Sequence, residues 1–436
     1  MRRIAVLMTG IAAMLLVTST QAFAVANINA YQSADYLKSL ARYASTDPDA
    51  AYFNPAGIPF MDHEGFAWSF TNVSIFSDKE VEDRTLVSKI ISGGKTMSYE
   101  GECRAPIYPT FQGVWKKGNG GIFFSTGVLA AGGSYEFNNG LPMFDKLAIG
   151  AAQQAGINPA TITSYERDAY SEGGGAFLHA TAGYALAVTD SISVAAGLRG
   201  IKGYSEKKGH LKNIKISGNP FPLEASFNVK QEGECLGGVL GANWKVTDTL
   251  RLATQAQLFS PLELETDVKS MTDPTGTLPA LYTDGATVKW EIPNIYSVAA
   301  AWAPFENLEL QCAYNFYTTG DIDRGNGKSY DDGWEIIFGG NYQLTPKWNV
   351  GAGILFEREN YDPQASRTED DFELNSTVIS AGVTCTVIPS LDLTFSGFKV
   401  LMDDRDGTSM LGTYGDQTYG QETFMLAMGL TWTPGK

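Results

Sequence analysis

The sequence predicts an all-β protein of the outer membrane: a transmembrane antiparallel β-barrel of about fourteen strands with an N-terminal hatch, or plug, in its lumen. Three observations carry that reading. Apolar and polar residues alternate with period two from Gly65 onward, short and long connections alternate strictly along the chain, and tryptophans gather at the ends of the alternating runs. The chain then divides into a signal peptide over 1–24, a hatch over 25–64 and a barrel over 65–436.

The N-terminus sets the compartment. Arg2 and Arg3 precede the apolar run Ile4 to Val17, and Thr18-Ser19-Thr20-Gln21 leads to Ala22-Phe23-Ala24, the three parts of a cleavable export signal. An apolar core of about 14 residues is short for a membrane span, and nothing after it approaches the ~18 continuous apolar residues that a spanning helix needs. An exported chain of this kind is either soluble or a membrane barrel. Cleavage removes two arginines and no acid, so the mature chain is more negative still than the full chain at −16, which excludes nucleic acid as a partner.

The alternation is clearest in three runs. Leu308, Leu310, Cys312, Tyr314 and Phe316 interleave with Glu309, Gln311, Ala313 and Asn315; Trp348, Val350, Ala352, Ile354 and Phe356 interleave with Asn349, Gly351, Gly353 and Glu357; Phe424 to Trp432 repeats the pattern. A β-sandwich alternates too, so connection lengths decide. Short connections lie at 116–120, 188–191, 246–249, 304–307, 345–347 and 388–390; long polar ones lie near 78–96, 136–173, 203–222, 267–287, 320–332, 357–372 and 403–421. Tight inner turns and long outer loops in strict succession describe an up-and-down barrel, with both termini on the periplasmic side. Trp68, Trp115, Trp244, Trp302, Trp348 and Trp432 fall at the short-turn end and Trp290 and Trp334 at the other, as two interfacial girdles would require.

Between the signal and the first strand, Tyr31 to Arg42 reads as a short helix, with Ser33 as its cap and Tyr36, Leu37 and Leu40 on one side, and Asp47-Pro48-Asp49 and Asn54-Pro55-Ala56-Gly57 read as turns. This segment is too small for a core of its own and too aromatic for a disordered tail, which places it in the lumen as a plug. The stretch Asp47-Pro48-Asp49-Ala50-Ala51-Tyr52-Phe53-Asn54-Pro55-Ala56-Gly57-Ile58 resembles the hatch signature of the FadL-type family of outer-membrane channels for long-chain fatty acids and other hydrophobic compounds. Glu291 to Trp302, and Trp334 to Leu344 followed by Lys347 to Gly353, resemble a middle strand and a late hairpin of the same family. The resemblance implies passive transport of a hydrophobic small molecule by a multi-pass barrel in the bacterial outer membrane, with lateral release into the bilayer.

Within that frame, Asn54, Pro55, Ala56 and Gly57 are the hatch residues, expected as a tight turn beside the third strand. That strand dissolves into small residues at Gly127, Gly132 and Gly133, which mark either a bend or ordinary glycine at a tapering strand end, and the resemblance makes it the strand whose kink opens the wall. Leu141, Met143, Phe144 and Leu147 lie in a loop with helical apolar spacing, suited to a substrate groove or to packing on the rim. No nucleophile elbow, P-loop or HExxH occurs, and His63, His179 and His210 are far apart, so neither enzyme activity, nor a cofactor, nor a metal site is expected. His179 shares an inward face with Phe177 and Thr181. The acidic stretches beginning at Asp321 and Glu369 read as solvated loops in preference to divalent-cation sites near lipopolysaccharide phosphates, the first failing EF-hand order. Cys312 and Cys385 are expected to face lipid, while Cys103 and Cys235, in matching Glu-Gly-Glu-Cys contexts, are candidates for a disulfide. Membrane lipid and lipopolysaccharide are the expected neighbours of a monomer. The alternative reading is a general polar-solute porin or a structural outer-membrane protein.

Overall fold

A run of alternating residues has one way to satisfy its backbone in lipid, which is to pair on both sides and close on itself. The computed structural model, which describes residues 27–276, 278, 282–322, 331–358, 369, 374–408 and 414–434, has that closed form. The expected signal peptide, residues 323–327 of the loop beginning at Asp321, and Asp370 and Asp371 lie outside the described residues.

The barrel strands are β1 (Gly65–Asp83), β2 (Met97–Lys117), β3 (Gly120–Phe137), β4 (Tyr165–Ala187), β5 (Ile192–Ile216), β6 (Ala225–Lys245), β7 (Leu250–Phe259 with Glu263–Thr272), β8 (Thr287–Lys289 with Ile295–Phe305), β9 (Leu308–Tyr317), β10 (Gly333–Thr345), β11 (Trp348–Arg358), β12 (Ser376–Ile388), β13 (Leu391–Met402 with Arg405–Thr408) and β14 (Tyr414–Trp432). Each pairs antiparallel with the next, and β14 returns to β1 from Trp68↔Trp432 to Asp83↔Gln417. The six tight turns fall where expected. At the other end the strands run further than the sequence pattern implies: β5 continues to Ile216 and β4 begins at Tyr165, inside stretches expected as loops. There both faces carry polar residues, so the alternation is masked, and the ladder is decorated instead by cross-strand charge pairs such as Lys208–Glu172 (2.7 Å), Lys215–Glu166 (2.7 Å) and Lys230–Glu206 (3.2 Å).

Neighbouring residues show which side is which. Leu198 is 76% exposed while Arg199 is 0% exposed, an arrangement that suits lipid outside and a filled lumen within. Trp115, Trp244, Trp302 and Trp348 are exposed beside tight turns, and Trp334 lies under Arg358 at the opposite end. Trp290 corrects the second girdle. It is buried against the ring of Phe177, 5.9 Å away, because β7 and β8 are both interrupted, at stretches containing Pro261 and Pro293, and the freed chain turns Leu262, Trp290 and Ile292 inward.

The four cysteines are free. Cys312 is exposed and Cys385 half-buried, as outward positions should be. The bridge considered for Cys103 and Cys235 is absent: Cys103 packs with Tyr99, Tyr135 and Phe137, whereas Cys235 belongs to a different cluster on β6.

Candidate functional site

The hatch forms because its polar residues cap and clasp one another while the rings of Tyr36, Tyr43 and Tyr52 pack around that of Phe53. Short helices α1 (Asn27–Ala30), α2 (Ala34–Ser39) and α3 (Ala50–Phe53) precede a 3-10 turn over Pro55–Phe60. Ser33 caps α2 as expected, accepting from the backbone N–H groups of Asp35 (3.1 Å) and Tyr36 (3.3 Å). Arg42 then gathers the following loop, donating from Nε to Asp49 Oδ2 (2.8 Å) and from Nη2 to Asp49 Oδ1 (2.9 Å), Asp47 Oδ2 (2.6 Å) and Ser45 Oγ (2.8 Å). Arg42 and Asp49 are both buried, so Arg42→Ala, which leaves Asp49 without its charge partner, should destabilise the hatch by about 3–5 kcal/mol. Trypsin cleavage after Lys38 in the folded, detergent-solubilised protein reads this out, and a rate equal to that of the unmodified chain would show the clasp to be dispensable. At the periplasmic side, Lys38 binds Asp35 (2.7 Å), Asn349 (3.1 Å) and Thr384 (2.8 Å). Burial works to raise the Asp35 carboxyl, but the charges of Lys38 and Arg42 outweigh it and hold that group below its ordinary value.

The Asn-Pro-Ala turn is as tight as expected, but it meets the third strand at its start and not at its glycine-rich part. Asn54 caps the 3-10 turn through Ala56 N–H (3.2 Å), and its Nδ2 donates to the carbonyl of Ala242 on β6 (3.1 Å); Ser193 on β5 donates to the Ala56 carbonyl. Pro55 supplies the fixed φ at the first helical position. Gly57 is required by a close approach, since a Cβ there would lie 2.0 Å from the Ser45 carbonyl oxygen. The turn therefore lies against β5, β6 and the first half of β3, where Ala56 and Ile58 pack with Phe123, and not against the stretch from Gly127 to Gly133.

Tyr31 and Gln32, expected as the first residues of the short helix, lie ahead of α2 and occupy the place beside the glycine-rich part of β3. From Lys117↔Gly120 to Thr110↔Gly127, β2 and β3 pair regularly; pairing then stops until Glu102↔Glu136. Opposite β4 the same stretch carries two bulges, one between Val128 and Ala130 and one between Ala131 and Gly133. Gly127 and Gly133 have φ of +152° and +76°, and a Cβ at 133 would meet Cys103 Sγ at 2.0 Å, whereas one at Gly132 would meet nothing within 4 Å. The hatch fills in for the missing ladder: Gln32 Nε2 donates to the Val128 carbonyl (2.6 Å), Tyr31 Oη donates to that of Ala131, and Thr110 Oγ1 and Gln112 Nε2 donate to the carbonyls of Tyr31 (2.8 Å) and Gln32 (2.5 Å). A signal for this break stood in β2, where Pro106 and Pro109 each lack a ladder donor. His179 faces inward as its parity indicated and meets Gln32 Oε1 at 3.2 Å.

The loop segment predicted from apolar spacing is a helix, α5 (Pro142–Gln154), following α4 (Leu86–Ile91). Its apolar face is not open as a groove. Leu141 is buried with Tyr99 and Phe137, Phe144 with Ala169, Leu211 and Leu223, and only Met143 and Leu147 stay half-buried. Buried ion pairs of Lys146 with Glu369 (2.7 Å) and of Arg167 with Asp145 (2.8 Å) hold the helix on the rim. The apolar surface lies instead inside the wall, where Ile337, Leu355, Val378, Phe398 and Met425 join Tyr36, Leu37, Leu40 and Phe53 of the hatch in one cluster. Strand parity alone hid those inward positions, because a lumen face was expected to be polar or small.

A structure of a FadL homologue from Pseudomonas aeruginosa matches with a TM-score of 0.67 at 15% identity, covering 92% of this chain and 98% of that one. The Pseudomonas putida toluene transporter TodX matches with a TM-score of 0.59 at 13% identity, covering 95% and 99%. The Ralstonia pickettii toluene transporter TbuX matches with a TM-score of 0.55 at 13% identity, covering 88% and 94%. At such identities these likenesses establish the fold. No curated protein matches in sequence. Residues 12–408 match the model of the outer membrane protein transport protein family (OMPP1/FadL/TodX), and with nearly the whole chain so matched, this barrel belongs to that family of outer-membrane transport proteins.

Proposed function

We propose that the protein is a passive channel for apolar small molecules whose hatch closes the lumen and whose exit is the unpaired stretch between β2 and β3. The observation that carries the reading is the use of Tyr31 and Gln32 to bind the carbonyls that β3 withdraws from β2. A plug that completes a gap in the wall couples its own displacement to the state of that gap, since moving it orphans buried carbonyls at about 1–3 kcal/mol each. Solute first meets the rim beside Met143 and Leu147, passes to the apolar cluster that the hatch and the wall form together, and leaves sideways past Ile107, which is 71% exposed on the lipid side of the gap. No cofactor or energy source enters this path. The long-chain fatty acids and toluene that the family and its solved members point to are the classes to try.

Uptake of radiolabelled long-chain fatty acid and of toluene by cells expressing the protein in a strain without its own transporter tests this, beside single-channel recording in planar bilayers. The channel should give saturable apolar uptake and little ion conductance. Large ohmic steps with entry of polar sugars would instead establish a porin.

A further inference from the structure

A belt of inward-facing oxygens crosses five neighbouring strands at one level of the wall. The ladder sets Ser297 of β8 opposite Asn315 of β9, Asn315 opposite Glu335 of β10, Glu335 opposite Glu357 of β11, and Glu357 opposite Ser376 of β12. None is more than 1% exposed. The hatch covers the belt through Tyr43, whose hydroxyl oxygen accepts from Asn315 Nδ2 (2.8 Å) and Asn29 Nδ2 (2.9 Å).

Glu335 carries the imbalance. Its Oε2 accepts from Asn315 Nδ2 (2.6 Å) and Tyr317 Oη (2.7 Å), both neutral donors, and its Oε1 has no partner. Asn315 Oδ1 has none either, and turning the amide over would not help, because Nδ2 already serves both Glu335 and Tyr43. On the hatch, Asn29 Oδ1 and Tyr36 Oη are likewise without partners. A buried carboxylate with no opposite charge beside it must either take up a proton or bind a cation, and a water molecule bonded to these oxygens would leave the charge in place. An all-oxygen set built on a carboxylate, an amide and hydroxyls is the chemistry of hard cations.

We propose that the belt binds a hard metal cation of the calcium type, with Glu335 Oε1 and Asn315 Oδ1 as wall ligands and Asn29 and Tyr36 as the hatch side of the site, so that the ion latches the plug to the wall. The sequence reading expected no metal because it sought clusters of His, Cys, Asp and Glu, and no group of three such residues occurs among the described residues. Here amide and hydroxyl oxygens from two separate segments supply what such a cluster would. The site is independent of whether the hatch moves during transport.

The test uses the full mature chain in detergent, folded in chelator and then given calcium chloride or sodium chloride at matched ionic strength. Calcium should raise the thermal unfolding midpoint by roughly 5 °C, sodium by much less, and terbium should give tyrosine-sensitised emission. Both effects should be lost in Glu335→Gln, and Glu335→Gln without calcium should unfold no earlier than the stripped parent chain, since the buried charge is gone. Asn315→Ala makes the same comparison if Glu335→Gln does not fold. An equal calcium shift in the parent and both variants would put the ion elsewhere and overturn the proposal. So would the absence of any shift in the parent, which would mean that a proton or water occupies the belt.

Discussion

Deleting Val25 to Met61 should leave a barrel that still folds and resists detergent but conducts ions roughly tenfold or more above the full chain, while saturable uptake of apolar solute disappears. Wall closure runs from β14 to β1 and uses no hatch residue, so the ladder does not need the plug. The lumen does: Tyr31, Leu37, Tyr52 and Phe53 are 0% exposed, and Tyr36 and Tyr43 1%. Removing them opens the bore and wets Ile337, Leu355 and Val378, so the truncated barrel should also melt earlier. Single-channel recording and circular dichroism of the refolded truncation check both parts. Unchanged conductance would mean that the outer rim, and not the hatch, is the seal.

Restoring the donors in β2 should have the next largest effect. Pro106→Thr with Pro109→Thr returns two N–H groups to the stretch that faces Val128 to Tyr135, and threonine favours the strand, so the ladder can extend into the gap. Uptake should fall roughly fivefold or more with conductance unchanged, because the lateral exit narrows while the hatch stays in place. Uptake equal to that of the parent would exclude this stretch as the exit. The glycines are a poorer handle. Valine at Gly132 meets open space, whereas at Gly133 it would collide with Cys103 in a left-handed backbone, so loss of uptake there would mix closure with misfolding.

Strand number, the six tight turns and the inward hatch were legible because each follows from a local rule: period-two alternation, turn length, and a cap such as Ser33. What escaped depends on which strand lies beside which. Asn54 announces a turn but not that its partner is Ala242, far along the chain. Trp290 looked interfacial until the paired breaks in β7 and β8 turned it inward, and the apolar spacing of α5 was equally consistent with a groove and with the rim packing it adopts. Pro106 and Pro109 stood in plain view. Their meaning appears only once β3 is seen to draw back from the same stretch.

The position of Ala34 bears on how such a protein is assembled. Its N–H donates to Thr71 on β1 (3.1 Å) and its carbonyl accepts from Ser396 on β13 (2.6 Å), and a Cβ on Gly429 of β14 would touch its methyl at 2.7 Å. The hatch, which precedes every strand in the chain, is thus fastened across the seam that joins the first strand to the last. Neighbouring strands can pair as local hairpins through their tight turns, but the seam has to wait for the C-terminus, and contacts of such sequence separation form slowly. Until then the aromatic N-terminal segment has no finished cavity to enter. A chain stalled before β14 would present both an open edge and an unhoused apolar segment, a doubly adhesive intermediate that a periplasmic holding factor would have to shield, and completion of the last strand would bury both at once.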